Sequence, residues 1–373
     1  MLNTPGKRGL YIGIQDKSVV AGLGSHILPY RTGYELVLPY KVDDKYCTNA
    51  EKEGVVKEST SKHIIISYKD GTVEKYRKCK WVSKETGGKT YAHNMVSMFV
   101  KGDKVSVGDN ILYDENFFAP DYMNRYRVAY KMGSLATIAM TEGDDSYEDS
   151  SNVSKHYTDA LATPLTTVKD KVIPLDIILE EFATIGDKVT YNDNLVEYRN
   201  TAVQGTDMQL STDSRAILED ITANKFKAEC KGHVIKMEVI YNIDQEIPLD
   251  KSVEKFLEYS DKLMKEEHGL SGSVDSTYSI KGKPLKPNTM YVKYYVEKTL
   301  SMSSGDKFRV GNQLKTTAGS IVNAIVTEDG TLVDLEVGKR GVDGRIVSSI
   351  YYQGTVNLLL LHATKKAVEA YDN

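Results

Sequence analysis

The chain has 373 residues, 40% of them hydrophobic and 27% charged, so it can bury real cores and does not have the composition of a disordered segment. Its formal charge of −4 argues against a protein that coats nucleic acid indiscriminately, but leaves room for local basic surfaces. Three widely spaced cysteines (Cys47, Cys79, Cys230) and seven scattered histidines form neither a disulfide framework nor a zinc motif, which suits a reduced, intracellular setting. No apolar run reaches membrane length. The longest, in VNLLLLHA, is expected to be one buried face of a terminal helix.

Strand signals dominate in chain order. His63 to Tyr76 reads as a hairpin around Asp70-Gly71, and IVTEDGTLVDLEV as another around Asp329-Gly330, with Val333, Leu335 and Val337 alternating after it. In HVIKMEVIY, strict alternation places Ile235, Met237, Val239 and Tyr241 on one face. Helices are few. Asp250 to His268 puts Val253, Phe256, Leu257, Leu263 and Met264 on one stripe with Gly269 as C-cap, and Val356 to Tyr371 is a second helix. VKGDKVSVGDNIL and TIGDKVTYNDNLV echo each other, as two similar hairpins or as two corners of a compact barrel. The chain therefore reads as mainly β with few helices: a barrel core interrupted by a β-rich insertion.

Three stretches carry candidate chemistry. GDKFRVGNQLK, 305–315, fails the Walker A pattern, yet Lys307 and Lys315 lie eight residues apart in a glycine-loosened loop. They could address two successive phosphates or belong to a solvated basic loop. In SYEDS, Glu148 and Asp149 would project to opposite sides of an extended chain, so only one need face a site; the pair suits a divalent metal or a solvated turn. GVDGR ends in Arg345, placed after a strand and a glycine turn, and GKRGLYIGIQDK carries Arg8. Either guanidinium could fork onto a triphosphate or lie on the surface.

Taken together these stretches resemble the large β subunit of multisubunit DNA-directed RNA polymerases. The resemblance runs in order through GKRGLYIGIQDKSVV, the segment ending in VKGDKVSVGDNIL, LATIAMTEGDDSYEDSSNVSK, ATIGDKVTYNDNLV, VKYYVEKTLSMSS, GDKFRVGNQLK and DGTLVDLEVGKRGVDGR. It implies a double-psi β-barrel core interrupted by a flap-like β-rich insertion. The expected layout is 1–95 for the N-terminal part of the barrel and hybrid-binding region, 96–174 for the first barrel part, 175–284 for the flap, and 285–373 for the second barrel part and terminal helix. It further implies that Lys307 and Lys315 are catalytic phosphate-binding lysines, that Arg345 and Arg8 bind the nucleoside triphosphate, and that Glu148 and Asp149 contact a second Mg²⁺ indirectly. The principal Mg²⁺ ligands would be an Asp triad on a β′-like partner chain, and this chain would hold no zinc. The implied partners are a separate β N-terminal chain, a C-terminal clamp chain, DNA template, RNA product and NTPs, with no membrane. The chain would be one piece of a split β subunit, as in giant bacteriophages, working in the host cytoplasm or carried in the virion. Two other classes stay open. One is a structural or virion protein with an inactive polymerase barrel. The other is a biotin- or lipoyl-type carrier, for which VIKME offers Lys236.

Overall fold

The computed structural model describes residues 22–84, 90–143, 146–147, 149–201, 223–243, 248–267, 271–311, 314–345 and 348–372. The described chain is mainly β, with two half-barrel sheets. It divides into two compact units: Met1–Lys89 with His93–Pro164 and Leu300–Asn373, and Leu165–Thr299 with Thr90–Ala92. The second unit contains the segment expected to form the flap.

The first unit is built around a five-stranded mixed sheet. Its strand order is Ile138–Thr141, Leu335–Gly338, Ser150–Ser154, Leu314–Val322, Lys307–Val310. Ile138–Thr141 runs parallel to Leu335–Gly338, and Ser150–Ser154 parallel to Leu314–Val322. Strands from before and after the second unit thus alternate across one sheet, which can form only once nearly 200 intervening residues have been looped out. Val153, Val310, Leu314, Ala318, Leu335 and Val337 fill its core, at about 1.5–3 kcal/mol for each large side chain. Elsewhere in this unit the Asp70-Gly71 turn joins His63–Tyr68 to Val73–Arg77 as expected, with Ile64, Ile66 and Tyr68 facing a core. Gly71 takes the positive φ of +86° that such a turn requires. The Asp329-Gly330 turn likewise joins Ile325–Val326 to Leu332–Val333.

The second unit packs the Thr163–Pro174, Thr289–Leu300, Gly232–Asn242 and Lys188–Val189 strands with a three-stranded sheet and the helix Lys251–Glu267 around one core. Asp250 caps the helix: its carboxylate accepts from Ser252 N at 2.8 Å, and its carbonyl from Glu254 N at 3.0 Å. Val253, Phe256 and Leu257 are buried and Leu263 packs beside them. The expected Gly269 cap lies outside the described residues, as does the Met264 side chain. At Gly232 any side chain would collide with Glu297, whose carbonyl oxygen lies 2.2 Å from an added Cβ, so two strands approach there only because the residue is glycine.

Two expectations are corrected. Alternation in Gly232–Asn242 breaks at a bulge between Val234 and Lys236, which leaves Ile235 as the extra residue and puts Val234, not Ile235, in the core with Met237 and Val239. The VNLLLLHA run does lie in a helix, Ser349–Asp372, but its face is not buried. Leu358 and Leu359 are 65% and 64% exposed, and Leu360 and Leu361 both 37%.

The sequence echo becomes a recurring turn. In Val100–Asp103, Ser106–Asp109, Thr184–Asp187, Thr190–Asp193 and Ser303–Asp306 the aspartate carboxylate accepts the backbone N–H three residues earlier, at 2.6–2.9 Å. In the first, second, third and last of these, the residue before the aspartate is a glycine at φ +86° to +100°. In those four, glycine N–H and aspartate C=O both bond to a single residue outside the turn: Val56, Ala50, Val234 and Ala318 respectively. The device pins a turn onto that residue while leaving the carboxylate occupied.

Candidate phosphate-binding site

The last of these turns opens GDKFRVGNQLK and accounts for the first residues of that stretch. Gly305 sits at φ +93° and donates to Ala318 O at 2.7 Å; the Asp306 carboxylate accepts from Ser303 N at 2.9 Å. Glycine and acid therefore build the turn. The turn leads into a β-hairpin, not a phosphate-wrapping loop: Lys307–Val310 pairs antiparallel with Leu314–Val322. Gly311 turns the chain at φ +59°. Asn312 and Gln313 lie outside the described residues.

Pairing fixes which side chains share a face. Lys307 is opposite Thr317, and Arg309 opposite Lys315. Because strand side chains alternate, Lys307, Arg309 and Lys315 project from one face, while Leu314, Thr316 and Ala318 are buried on the other. Arg309 was missed in the sequence, although hairpin alternation from Lys307 across the Gly311 turn would have found it. Burial holds its guanidinium below the ordinary arginine pKa, but an arginine in a protein stays charged. Two cations directly opposite each other, with a third on the diagonal, repel; such pairs cost an antiparallel sheet a few tenths to about 1 kcal/mol. Among the described residues, Lys307 and Lys315 have no ion-pair partner.

Asp149 is seated at the other side of the same strand. Its carbonyl accepts from Thr317 N at 2.8 Å and Thr316 Oγ1 at 3.0 Å, while Thr316 Oγ1 and Ser151 Oγ share a buried hydrogen bond of 2.6 Å. Ser150, Thr317 and Lys307 form one row across three strands. The Asp149 carboxylate is ion-paired with Arg345 Nη2. Arg345 does not follow a glycine turn as expected: GVDGR closes a short helix, Lys339–Gly344, and Arg345 is its C-cap, also donating to Gly341 O at 3.2 Å. With side chains 57% and 35% exposed, this ion pair contributes little to stability and both groups face solvent. Arg340 forms a second contact of this kind, pairing with Glu142 at 3.0 Å and donating to Tyr147 Oη at 3.1 Å.

The structure thus brings Lys307, Lys315, Asp149 and Arg345 onto one sheet and its adjoining helix. Glu148 and Arg8 lie outside the described residues. Ser154, in the matched acidic segment, is structural: its hydroxyl is buried and donates to Val333 O. Lys236 stands mid-strand, 2.7 Å from Glu238, which is not the exposed turn a carrier lysine needs. Among the described residues no group of three or more His, Cys, Asp or Glu side chains could hold a metal ion. Asp149 carries the Arg345 guanidinium on one carboxylate oxygen, Oδ1. Burial pushes the Cys47 thiol up to about 12, and no helix among the described residues is long and apolar enough to cross a membrane. No protein-family model matches the chain, and no curated protein matches it significantly.

Proposed function

We propose that this chain is a β-subunit fragment of a multisubunit DNA-directed RNA polymerase, supplying phosphate-binding side chains to template-directed RNA synthesis. The observation that carries the reading is a cationic hairpin face on the strand that also anchors Asp149, the partner of Arg345. It places Lys307, Lys315, Asp149 and Arg345, drawn from three separate stretches of sequence, around one sheet. The interleaving of strands from both sides of the second unit supports a double-psi barrel closed around the site, with the second unit as the flap-like insertion.

In this reading Lys307 and Lys315 hold phosphates at the RNA 3′ end and on the incoming nucleotide as point charges on flexible stems. Arg345 and Arg8 grip the triphosphate and offset charge on the departing pyrophosphate. Asp149 orients Arg345 and, with Glu148, water bound to the second Mg²⁺. A bound metal pair would supply charge stabilisation for the transfer; its principal ligands would lie on a β′-like partner, so this chain would not catalyse alone. DNA, RNA, a β N-terminal chain and a clamp chain complete the assembly. Template pairing reads sequence, so only backbone contacts are needed, which a slightly acidic chain with local cations can make.

Lys307→Ala or Lys315→Ala, in an assembly reconstituted with its partner chains, is expected to cut RNA extension by at least about 100-fold while leaving assembly intact. Unchanged extension in both variants would sink the assigned roles. Co-purification from the native source should recover a β′-like chain with the Asp triad.

A further inference from the structure

We propose that Ser83, His93 and Asp114 form a second reactive centre, in which Ser83 is a nucleophile toward small carboxylic esters. This is independent of the polymerase reading, because none of the three belongs to the cationic hairpin site.

The three residues come from neighbouring strands of one four-stranded sheet. Ser83 lies on the edge strand Lys80–Lys84, His93 on Thr90–Val96 and Asp114 at the end of Asn110–Asp114. The Asp114 side chain is fully buried and that of His93 is 1% exposed. His93 Nδ1 is 2.7 Å from Asp114 Oδ2, and His93 Nε2 is 3.0 Å from Ser83 Oγ. A buried carboxylate only accepts, so Nδ1 carries the proton and donates it to Asp114. Nε2 is then the basic nitrogen, and Ser83 Oγ–H donates to it. That is the geometry a general base needs before it can take a proton from a serine.

Two further features separate this relay from an ordinary core hydrogen bond. Asp114 is held in place: Oδ1 accepts from Asn94 N at 3.3 Å and Asn116 N at 3.1 Å. The carboxylate is therefore fixed as the orienting partner of the imidazole. Trp81 stacks flat on His93 at 3.9 Å between centroids and 15° between planes, and an aromatic face favours the imidazolium that would form. The chain invests a buried carboxylate and an indole face in stabilising positive charge on His93, and directs its second ring nitrogen at the only one of the three side chains that is partly open to solvent.

The reaction needs only an ester and water. Ser83 Oγ bonds to the carbonyl carbon as its proton passes to His93 Nε2. The carbon–oxygen bond to the leaving group breaks, and that oxygen takes the proton from His93. Water then attacks the acyl-serine, giving a proton to Nε2. The acid leaves and Ser83 recovers its proton. Ser83 is the nucleophile, His93 the general base, and Asp114 a positioning residue.

The test is labelling of the full chain by a fluorophosphonate, read by intact mass and peptide mapping, alongside hydrolysis of p-nitrophenyl acetate. A single adduct on Ser83 is expected, absent in Ser83→Ala and slowed at least about 100-fold in His93→Gln. The native unaltered chain should label at Ser83, and the same chain unfolded in urea should not, because the relay exists only in the fold. That contrast decides the matter if His93→Gln fails to fold. No adduct on Ser83, equal labelling of folded His93→Gln, or equal labelling of Ser83 in the unfolded chain would each overturn the proposal.

Discussion

Two pairs of lysines sit on antiparallel strands in this molecule, and their surroundings differ in one respect. In the second unit Lys236 is opposite Tyr295, and Lys293 opposite Glu238. Glu238 lies 2.7 Å from Lys236 and 3.6 Å from Lys293, accepts from Tyr295 Oη at 2.9 Å, and both ammonium groups lie over the Tyr295 ring. In the first unit Lys307 and Lys315 share a strand pair of the same kind, but the residue facing Lys315 is Arg309. One arrangement supplies its lysines with an anion. Among the described residues the other offers its lysines no anion. On the proposed reading, the neutralised pair is structural and the other is the one with a reason to bind phosphate.

The largest effect should come from breaking the neutralised pair. Glu238→Gln keeps the shape but leaves two half-buried lysines with no carboxylate between them. Loss of a buried partner costs about 3 kcal/mol, read as a fall in the urea midpoint of the second unit's transition. Lys236→Met together with Lys293→Met in that variant should recover much of the loss. Failure to recover would mean that Glu238 acts through Tyr295 and not through charge.

Turn and cap positions come next, at about 1 kcal/mol. Gly305→Ala places a side chain at φ +93° with no neighbour to clash with, so its cost is the left-handed backbone alone. It should destabilise the first unit and, by loosening the strand that carries Lys307, reduce anion binding as well. In the second unit Asp250→Ala should cost a similar amount by uncapping the helix. Hydrogen bonds from the Ser252 hydroxyl and backbone N–H lower the pKa of Asp250 below its ordinary 3.8. Because the folded pKa is the lower one, the contribution of Asp250 is fully present above the unfolded value and is lost as pH falls through the folded one. The stability gap between the Ala variant and the unaltered chain should therefore narrow as pH falls below 3.8.

Features were legible in the sequence to the degree that their causes are local. Asp70-Gly71, Asp329-Gly330 and the Asp250 helix were readable because turn chemistry and helical period act over a few residues. The echoed GD turns were visible as pattern, but their bracket onto one residue outside the turn was not, since that partner is set by tertiary pairing. Ile235 was misplaced because a bulge leaves no signature in alternation. The exposure of Leu358 to Leu361 could not be read because apolar residues are normally covered. For the candidate site, both lysines, Asp149 and Arg345 were named from the sequence, whereas Arg309 and the hairpin came from the structure. Ser83, His93 and Asp114 were not seen at all: they are 10 and 21 residues apart along the chain, and only strand pairing brings them together.

The smallest predicted effect is the most discriminating. If Lys315 faces Arg309 with no anion of its own, Lys315→Thr should stabilise the free chain by about 0.5 kcal/mol, because it removes like-charge repulsion and puts a β-branched residue in a strand. Most surface substitutions have little effect or destabilise, so the sign alone is informative. Salt should shrink the gain, since screening weakens repulsion between exposed charges. Inorganic tripolyphosphate should reverse the order: it binds the native unaltered chain and raises its stability by mass action, while the variant gains less. A Lys315→Thr chain that is less stable in low salt would show that the lysine already has its counter-charge within the fold. The contrast with Lys236 and Lys293 would then disappear, and with it the physical reason for assigning phosphate to the hairpin.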